Sequence, residues 1–187
     1  MSEKKDRDLV DIQKINPHIL VEMRYATPNN FTGRTLYNRA KCYLRRSVAS
    51  KLDAVQKKLE KVGLGLKVYD GYRPLSVQKV FWEFMPDDRY VAPPEIGSRH
   101  NRGAAVDLTL VDKEGRELIM PTPFDDFSVK AHRNYNELPK VVIYNRCLLE
   151  NIMADHGFIP FPAEWWHFDA VDWENYPLED IALEALE

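Results

Sequence analysis

Hydrophobic positions at helical spacing are clearest between residues 48 and 62. Steps of three and four residues separate them, which is the spacing of one face of an α-helix. Ser47 stands where an N-cap is expected, and Gly63 stands where the helix is expected to end. The apolar face of this predicted core helix consists of Val48, Leu52, Val55, Leu59 and Val62.

Two more helices are predicted from their start and stop signals. Pro74 is well placed to open a helix over residues 75–85, because proline is favoured in the first helical turn. Asn145 is the candidate cap of a later helix, which we expect to end at Gly157.

Four runs rich in β-branched and aromatic residues, or alternating between apolar and polar positions, predict strands. Residues 86–103, between the second run and the third, contain three prolines and two glycines. We therefore predict that they form a long irregular connection. Such a connection in a compact domain is more often functional than idle. The predicted strands lie at residues 18–26, 64–70, 104–111 and 165–171.

Helices and strands mix in this order without strict β-α-β alternation. The mixture predicts an α+β fold with a central, mainly antiparallel sheet flanked by helices. At 187 residues with 44% hydrophobic content, the chain is long enough to form one compact domain over residues 1–187.

Charge and cysteine usage narrow the class of partner. The formal net charge is -3 and the basic residues are spread along the chain, so we expect a small molecule as the target rather than nucleic acid or membrane. The chain has no apolar segment of membrane-spanning length, and we predict a cytoplasmic protein. Cys42 and Cys147 form no C-x-x-C pair, which favours reduced structural thiols. The oligomeric state leaves no signal in the sequence.

A single carboxylate, Asp107, interrupts the most apolar run of the chain. One interpretation is a strand residue that faces solvent. However, Ala105 and Thr109 share its face of the strand, and these small side chains leave room around the carboxylate. His100 ends the preceding loop, and a histidine nitrogen and a carboxylate oxygen are two ligands of a divalent metal. A hydrogen bond between the two side chains is the simpler alternative.

Glu164 and His167 form a second cluster, in "PAEWWHFD". Two prolines just before it argue against a helix, so we expect a turn that aims both side chains inward. Taken alone, such a pair is more often a chance spacing or a packed core histidine. Together with His100 and Asp107, the pair favours function.

These side chains suit a catalytic zinc site. Zinc hydrolases use three protein ligands and keep one position open for water, whose pKa falls to about 7. His100, Asp107 and His167 supply two imidazoles and one carboxylate for one Zn2+ per chain. Glu164 is then free to act as the general base that passes a proton from the attacking water to the departing amine. As a fourth ligand, Glu164 would instead close the site and make it structural.

Arg73 is the candidate for stabilising an oxyanion. It follows a predicted strand and precedes a proline-opened helix, a rigid position from which a guanidinium can reach a site. Arginine stays protonated and donates its hydrogen bonds in a fixed fork. A surface arginine paired with Asp70 is the alternative.

Three stretches, "YDGYRP", "SRHNRGAAVDLTL" and "EWWHF", closely resemble the D-alanyl-D-alanine dipeptidases, the zinc D,D-dipeptidases of the vancomycin-resistance type and their housekeeping relatives. Residues 23–46 and 120–128 resemble the same family. The resemblance implies a cytoplasmic zinc metallopeptidase of peptidoglycan metabolism with a compact α+β fold. It also implies zinc ligands, a catalytic base and a transition-state arginine at the positions assigned above, which are His100, Asp107 and His167, Glu164, and Arg73.

The resemblance further implies D-Ala-D-Ala as the substrate, a zwitterion that needs partners for an ammonium and a carboxylate. Asp125 falls where the family has an acidic residue after phenylalanine and is our candidate for the ammonium, with Asp126 as the runner-up. Ser98 is a candidate for the substrate carboxylate or carbonyl, and Tyr25 and Phe31 are candidates for the pocket lining. For these last three residues, a core or surface role is the alternative.

Two other functions fit the same motifs. A zinc D,D-carboxypeptidase or endopeptidase acting on longer peptidoglycan stem peptides would need an open groove instead of a closed pocket. A zinc-stabilised binding module without activity would unfold when its metal is removed.

Overall fold

The structure is a computed structural model that describes residues 8–186, and within this range the chain forms seven strands and four α-helices. The strands are β1 (Leu9–Asp11), β2 (Leu20–Val21), β3 (Tyr43–Arg45), β4 (Leu64–Asp70), β5 (Ala105–Asp112), β6 (Phe158–Pro160) and β7 (His167–Ala170). The helices are α1 (Ile12–Ile15), α2 (Arg46–Glu60), α3 (Leu75–Phe84) and α4 (Lys140–Asp155).

The central sheet in the described part of the chain has five strands in the order β2-β4-β5-β7-β6. β2 runs parallel to β4, and every other neighbouring pair is antiparallel. β1 and β3 form a separate antiparallel pair. The predicted α+β class with a mainly antiparallel sheet is therefore confirmed.

β5 is the middle strand, and all its residues from Ala105 to Val111 are buried. Helices α2 and α4 contact each other and pack against the sheet. Four of the five apolar residues on the predicted face of α2 are buried, whereas Val62 lies beyond the helix and is exposed. Among residues 8–186, no helix combines the length and hydrophobicity that a membrane crossing requires.

Both side-chain caps predicted from the sequence are wrong. α2 begins at Arg46, and Ser47 lies inside it with its hydroxyl 2.6 Å from the Tyr176 hydroxyl. α4 begins at Lys140, and Asn145 lies inside it, donating to the Ile119 carbonyl at 3.0 Å. In each case a tertiary hydrogen bond takes up the side chain that local sequence assigned to a cap.

Prolines and glycines mark the helix ends better than the polar caps do. Pro74 directly precedes α3, as predicted, and Pro139 precedes α4 in the same way. Gly63 and Gly157 follow α2 and α4 with φ values of 74° and 84°, in the left-handed region that favours glycine.

The strand predicted over residues 18–26 is shorter than expected. β2 ends at Val21, and Arg24–Ala26 form a 3-10 turn that buries Tyr25. Residues 86–103 are irregular, as predicted, and they end in another 3-10 turn, His100–Arg102.

Candidate active site

Three adjacent strands place acidic and imidazole side chains in one row across the central sheet. Asp70 of β4 pairs in register with Asp107 of β5, and Asp107 pairs with His167 of β7. Directly opposite side chains on neighbouring strands lie within reach of one another. The row therefore brings together three residues that are far apart in sequence.

His100 reaches the row from the 3-10 turn at the end of the irregular connection. Gly103 ends this turn with φ 67° in the left-handed region. Two hydrogen bonds tie the turn to the segment after β4: Arg73 N–H donates to the His100 carbonyl at 3.1 Å, and the Asn101 amide donates to the Arg73 carbonyl at 2.8 Å. The "SRHNRG" and "YDGYRP" motifs are thus joined through the backbone.

Three ligand atoms converge at this point. His100 Nε2 lies 3.3 Å and His167 Nδ1 lies 3.0 Å from Asp107 Oδ1, and the two nitrogens are 3.2 Å apart. Asp107 is only 3% exposed, so the interpretation of a solvent-facing strand residue is wrong. These three residues form a group that could hold a metal ion.

The outer nitrogens of both rings have acceptors as partners. His100 Nδ1 lies 2.7 Å from the Gly71 carbonyl, and His167 Nε2 lies 2.9 Å from Asp169 Oδ1. A side chain at Gly71 would lie against Cys42 and 2.9 Å from the Tyr43 carbonyl, so only glycine fits there. With the ring protons on the outer nitrogens, both inner nitrogens present lone pairs toward Asp107.

A cation satisfies this arrangement of converging acceptors. A tetrahedral zinc site with bonds of about 2.0–2.1 Å has ligand atoms about 3.3 Å apart, close to the observed 3.0–3.3 Å. In the chain without metal, burial lowers the pKa of His167, but Asp169 and Asp107 raise it well above its usual value, so the same position favours a positive charge. Against the effect of burial, His100 and His167 hold the pKa of Asp107 below its usual range. The donor set therefore fits a divalent metal.

Glu164 lies beside these three residues, in the turn between β6 and β7. It is buried, and its Oε2 is 3.8 Å from His167 Nδ1. Arg133 braces the turn on both sides, because Nε donates to the Phe161 carbonyl at 2.8 Å and Nη2 donates to the His167 carbonyl at 3.0 Å. The predicted inward-facing turn is thus present.

The environment of Glu164 favours its protonated form. Burial, together with the charges of Asp107 and Asp125, raises its pKa to about 8, although His167 and Arg73 act in the opposite direction. A metal ion nearby would lower this pKa, because an opposite charge favours the carboxylate. Glu164 is therefore able to exchange a proton near neutral pH.

Arg73 is paired with Asp70, as the alternative interpretation expected, but the pair is buried instead of on the surface. Arg73 Nε and Nη2 donate to Asp70 Oδ2 at 3.1 and 2.7 Å, and Nη1 donates to Gln78 Oε1 at 2.9 Å. Tyr37 donates to the other Asp70 oxygen at 2.8 Å, and the guanidinium stacks on Phe81 at 4.2 Å. These contacts hold the guanidinium rigidly.

A single cavity of about 130 Å³ brings the predicted residues together. Exposed residues Asp88 and Arg89 also line it, so the cavity opens to solvent at the irregular connection. Nine of the ten candidate residues from the sequence line it, all except the runner-up Asp126: Tyr25, Phe31, Arg73, Ser98, His100, Asp107, Asp125, Glu164 and His167.

Asp125, in the cavity wall, has an unusual backbone conformation and a raised pKa. Its φ of 63° is in the left-handed region, which aspartate tolerates better than most residues. Burial raises its pKa to about 7, with a further contribution from Asp107, and the Tyr25 hydroxyl donates to both of its oxygens at 3.0 and 3.2 Å. Asp126 instead accepts from the Ser128 backbone N–H at 2.9 Å.

The remaining predicted lining residues also have structural contacts. The Ser98 hydroxyl accepts from the His100 N–H at 3.2 Å, which leaves its own hydrogen available to a ligand. Tyr25 and Phe31 both pack on Phe81, with ring centroids 4.6 and 5.0 Å away. These contacts fit the predicted lining role and the core alternative equally.

Sequence reasoning missed two buried polar residues in the cavity wall. Gln78 links Arg73 to the irregular connection, because its amide donates to the Ala92 carbonyl at 2.8 Å. Asp169 contacts His167 from two positions farther along β7. Alternate residues of a strand share a face, and this rule was sufficient to flag Asp169, whereas no local pattern marks Gln78.

Comparison with known proteins assigns the family. The family described as D-ala-D-ala dipeptidase matches residues 5–182. Proteins named D-alanyl-D-alanine dipeptidase from Escherichia coli, Enterococcus faecalis and Streptomyces coelicolor are 37%, 32% and 31% identical to this chain. The alignments cover 91%, 83% and 86% of this chain and 89%, 87% and 90% of the respective relatives.

The solved structure of VanYB in complex with D-Alanine-D-Alanine superposes with a TM-score of 0.49 at 16% identity, covering 84% of this chain and 80% of that chain. The family match and the relatives confirm the prediction of a peptidase. The chain belongs to the D-Ala-D-Ala dipeptidase family.

Proposed function

We propose that this protein hydrolyses D-Ala-D-Ala to two molecules of D-alanine and uses one Zn2+ per chain. The convergence of His100, Asp107 and His167 beside Glu164 and Arg73 in one small cavity carries this proposal. The names of the relatives support the substrate. We take residues 1–187 as a single dipeptidase domain.

His100 Nε2, Asp107 Oδ1 and His167 Nδ1 would hold the ion. Two imidazoles and one carboxylate make a three-ligand set of the kind found in catalytic zinc sites. When bound, zinc would supply a Lewis acid that polarises the peptide carbonyl and lowers the pKa of a water molecule to about 7.

Glu164 acts as the proton carrier of the reaction. Its carboxylate takes a proton from the attacking water as the new C–O bond forms. It then donates that proton to the leaving nitrogen as the C–N bond breaks, which releases D-alanine with a neutral amine. Burial supports this role, because it brings the pKa of Glu164 toward neutrality.

Arg73 stabilises the negative charge that develops on the carbonyl oxygen. Three of its hydrogen bonds go to Asp70 and Gln78, so the guanidinium is held in place before substrate arrives. Each terminal nitrogen still has a second hydrogen to donate. A donor oriented in advance needs no rearrangement during the reaction.

Asp125 binds the ammonium group of the dipeptide. A buried carboxylate recognises a free amine and rejects an N-blocked peptide, which would leave the charge without a partner. Ser98 donates to the substrate carboxylate or carbonyl, and Tyr25 and Phe31 bound the space for the methyl groups. The small volume of the cavity supports a dipeptide over a longer peptide.

An assay of D-alanine release tests this proposal. The purified protein is incubated with D-Ala-D-Ala or N-acetyl-D-Ala-D-Ala, with and without a chelator. We expect the free dipeptide to be cleaved, the chelator to stop the reaction and added zinc to restore it. The blocked peptide is expected to react about 10- to 150-fold more slowly, the equivalent of one lost charged hydrogen bond.

The other outcomes identify the alternatives. Equal or faster cleavage of the blocked peptide would overturn the dipeptidase and favour a carboxypeptidase or endopeptidase that acts on longer stem peptides. No release from either peptide, combined with unfolding on chelation, would favour a binding module stabilised by zinc.

We further propose that the enzyme works in the cytoplasm, in the metabolism of peptidoglycan peptides. Cys147 is an exposed free thiol, which is typical of a reducing compartment. Fractionation of the native cells, followed by detection of the protein, tests this location.

A further inference from the structure

The two candidate histidine ligands are held in different ways. The outer nitrogen of His100 is bound by a backbone carbonyl inside the fold, and the His100 side chain is 3% exposed. The outer nitrogen of His167 is bound by a side chain, the Asp169 carboxylate, and the His167 side chain is 12% exposed. The orientation of the His167 ring therefore depends on a side chain, which a substitution can remove, whereas the partner of His100 is part of the backbone.

We propose that Asp169 is a positioning residue of the metal centre, which holds the His167 ring so that Nδ1 faces His100 and Asp107. This inference rests on the proposed function, because it takes the three residues to hold a divalent metal. Asp169 thereby sets the affinity of the site for metal without contacting the ion.

The chemistry of the imidazole ring makes this role necessary. A neutral imidazole carries one proton, and a proton on Nδ1 would remove the lone pair that binds metal. An ionised carboxylate only accepts hydrogen bonds, so Asp169 Oδ1 at 2.9 Å keeps the proton on Nε2. Carboxylates that accept from the outer nitrogen of a ligating histidine also raise its basicity.

The fold holds Asp169 in this position from several sides. Asp169 and His167 share one face of β7, and Asp169 pairs in register with Ala105, whose small side chain leaves space for the carboxylate. The second oxygen, Oδ2, is 3.7 Å from Arg99 Nε, and the Arg99 guanidinium stacks on Trp173 at 4.6 Å. Asp169 is therefore fixed by the strand and by a cation on its outer side.

A purely structural role of Asp169 would give different experimental results. If Asp169 only stabilised the fold, its removal would lower the stability of the metal-free protein and leave the intrinsic zinc affinity unchanged. If it positions His167, its removal weakens zinc binding and alters the ligand field of the bound ion.

Zinc affinity of the full-length protein tests the proposal, by competition with a chromophoric chelator at fixed pH. We expect Asp169→Ala to bind zinc about 10- to 100-fold more weakly than wild type, the usual cost of losing such a partner. Asp169→Asn keeps the shape of the side chain, which protects the fold. It should also lose about 10-fold, because its amide can donate to Nε2 and favour the wrong tautomer. Asp88→Ala is the matched control, since this exposed carboxylate lines the same cavity and should leave the affinity unchanged.

Two further measurements separate positioning from folding. The visible spectrum of the Co2+-loaded protein should change in both Asp169 variants and stay unchanged in Asp88→Ala. Circular dichroism of the metal-free Asp169→Asn variant at the assay temperature should show a folded protein, so that a weaker zinc affinity is not the result of unfolding.

Wild-type zinc affinity in both Asp169 variants, or an unchanged Co2+ spectrum, would overturn the proposal while the proposed function stands. A wild-type protein that binds no zinc would instead overturn the proposed function itself.

Discussion

The cavity has two walls that are built in different ways. The metal-side wall consists of His100, Asp107, Glu164 and His167, and it lies on two strands of the central sheet and on short turns joined to them. The substrate-side wall consists of Tyr25, Phe31 and Asp125, and it lies outside the strands.

The two walls also differ in what holds their charges. On the metal-side wall, Asp107 is opposed by two imidazoles, which hold its pKa down despite burial. On the substrate-side wall, Asp125 has the Tyr25 hydroxyl as its partner, and burial raises its pKa to about 7. The first arrangement suits a permanently bound cation, and the second suits a cation that arrives and leaves with the substrate. We therefore expect changes in the first wall to alter kcat and changes in the second to alter KM.

Glu164→Gln, on the metal-side wall, should have the largest effect on kcat. Loss of the proton carrier should lower kcat about 10²- to 10⁴-fold, while zinc content stays at the wild-type value. Steady-state kinetics and metal analysis of the same sample check this. A loss of zinc in proportion to activity would show that Glu164 is a ligand and not a base.

Arg73→Ala is expected to have the second largest effect on kcat. By analogy with loss of an oxyanion donor, it should cost about 2–4 kcal/mol of transition-state stabilisation, or about 30- to 900-fold in kcat. The substitution leaves the buried Asp70 carboxylate unpaired, so circular dichroism must first confirm folding. Arg73→Lys keeps the charge and should recover part of the rate. Near-normal turnover in folded Arg73→Ala would remove this residue from the mechanism.

Asp125→Asn tests the opposite wall and should raise KM with a smaller change in kcat. Loss of one charged hydrogen bond is worth about 1.5–3 kcal/mol, which is about 10- to 150-fold. The wild-type carboxyl is neutral below its pKa of about 7 and charged above it. KM should therefore fall as pH rises through 7 in the wild type and stay flat in the variant. A rise in KM with pH over that range would contradict the assignment to the ammonium.

Tyr25→Phe should have the smallest effect and shift the same pH profile. The Tyr25 hydroxyl donates to Asp125 and lowers its pKa, so removing the hydroxyl should move the midpoint of the KM profile to higher pH. At pH 7 we expect a rise in KM of less than about 10-fold, because a shift of about one pKa unit, or about 1.4 kcal/mol, leaves about a tenth of Asp125 in the charged form. A midpoint that moves to lower pH would show that the Tyr25 hydroxyl does not lower the pKa of Asp125.

The residues of the metal-side wall could be predicted because local sequence patterns mark them. Asp107 interrupts an apolar strand, and Glu164 and His167 precede another strand at a fixed spacing. Once these strands pair, register alone brings Asp107 and His167 together. Cross-strand pairing is a strong constraint on a buried sheet, because a slip of one residue would turn every side chain to the other face.

The other features depend on tertiary contacts that the sequence does not display. Ser47 and Asn145 look like helix caps, but each is taken up by a distant partner. The charge state of Asp125 depends on how deeply the loop buries it. Each of these features becomes visible only when segments far apart in sequence are in contact.

A zinc titration of the metal-free protein, with D-alanine release from D-Ala-D-Ala as the readout, is the most direct test of zinc-dependent hydrolysis by this protein. We expect that activity is absent without metal, rises in proportion to added zinc and reaches its maximum at one zinc per chain. Full activity in the metal-free protein, or one zinc bound per chain without release of D-alanine, would contradict it.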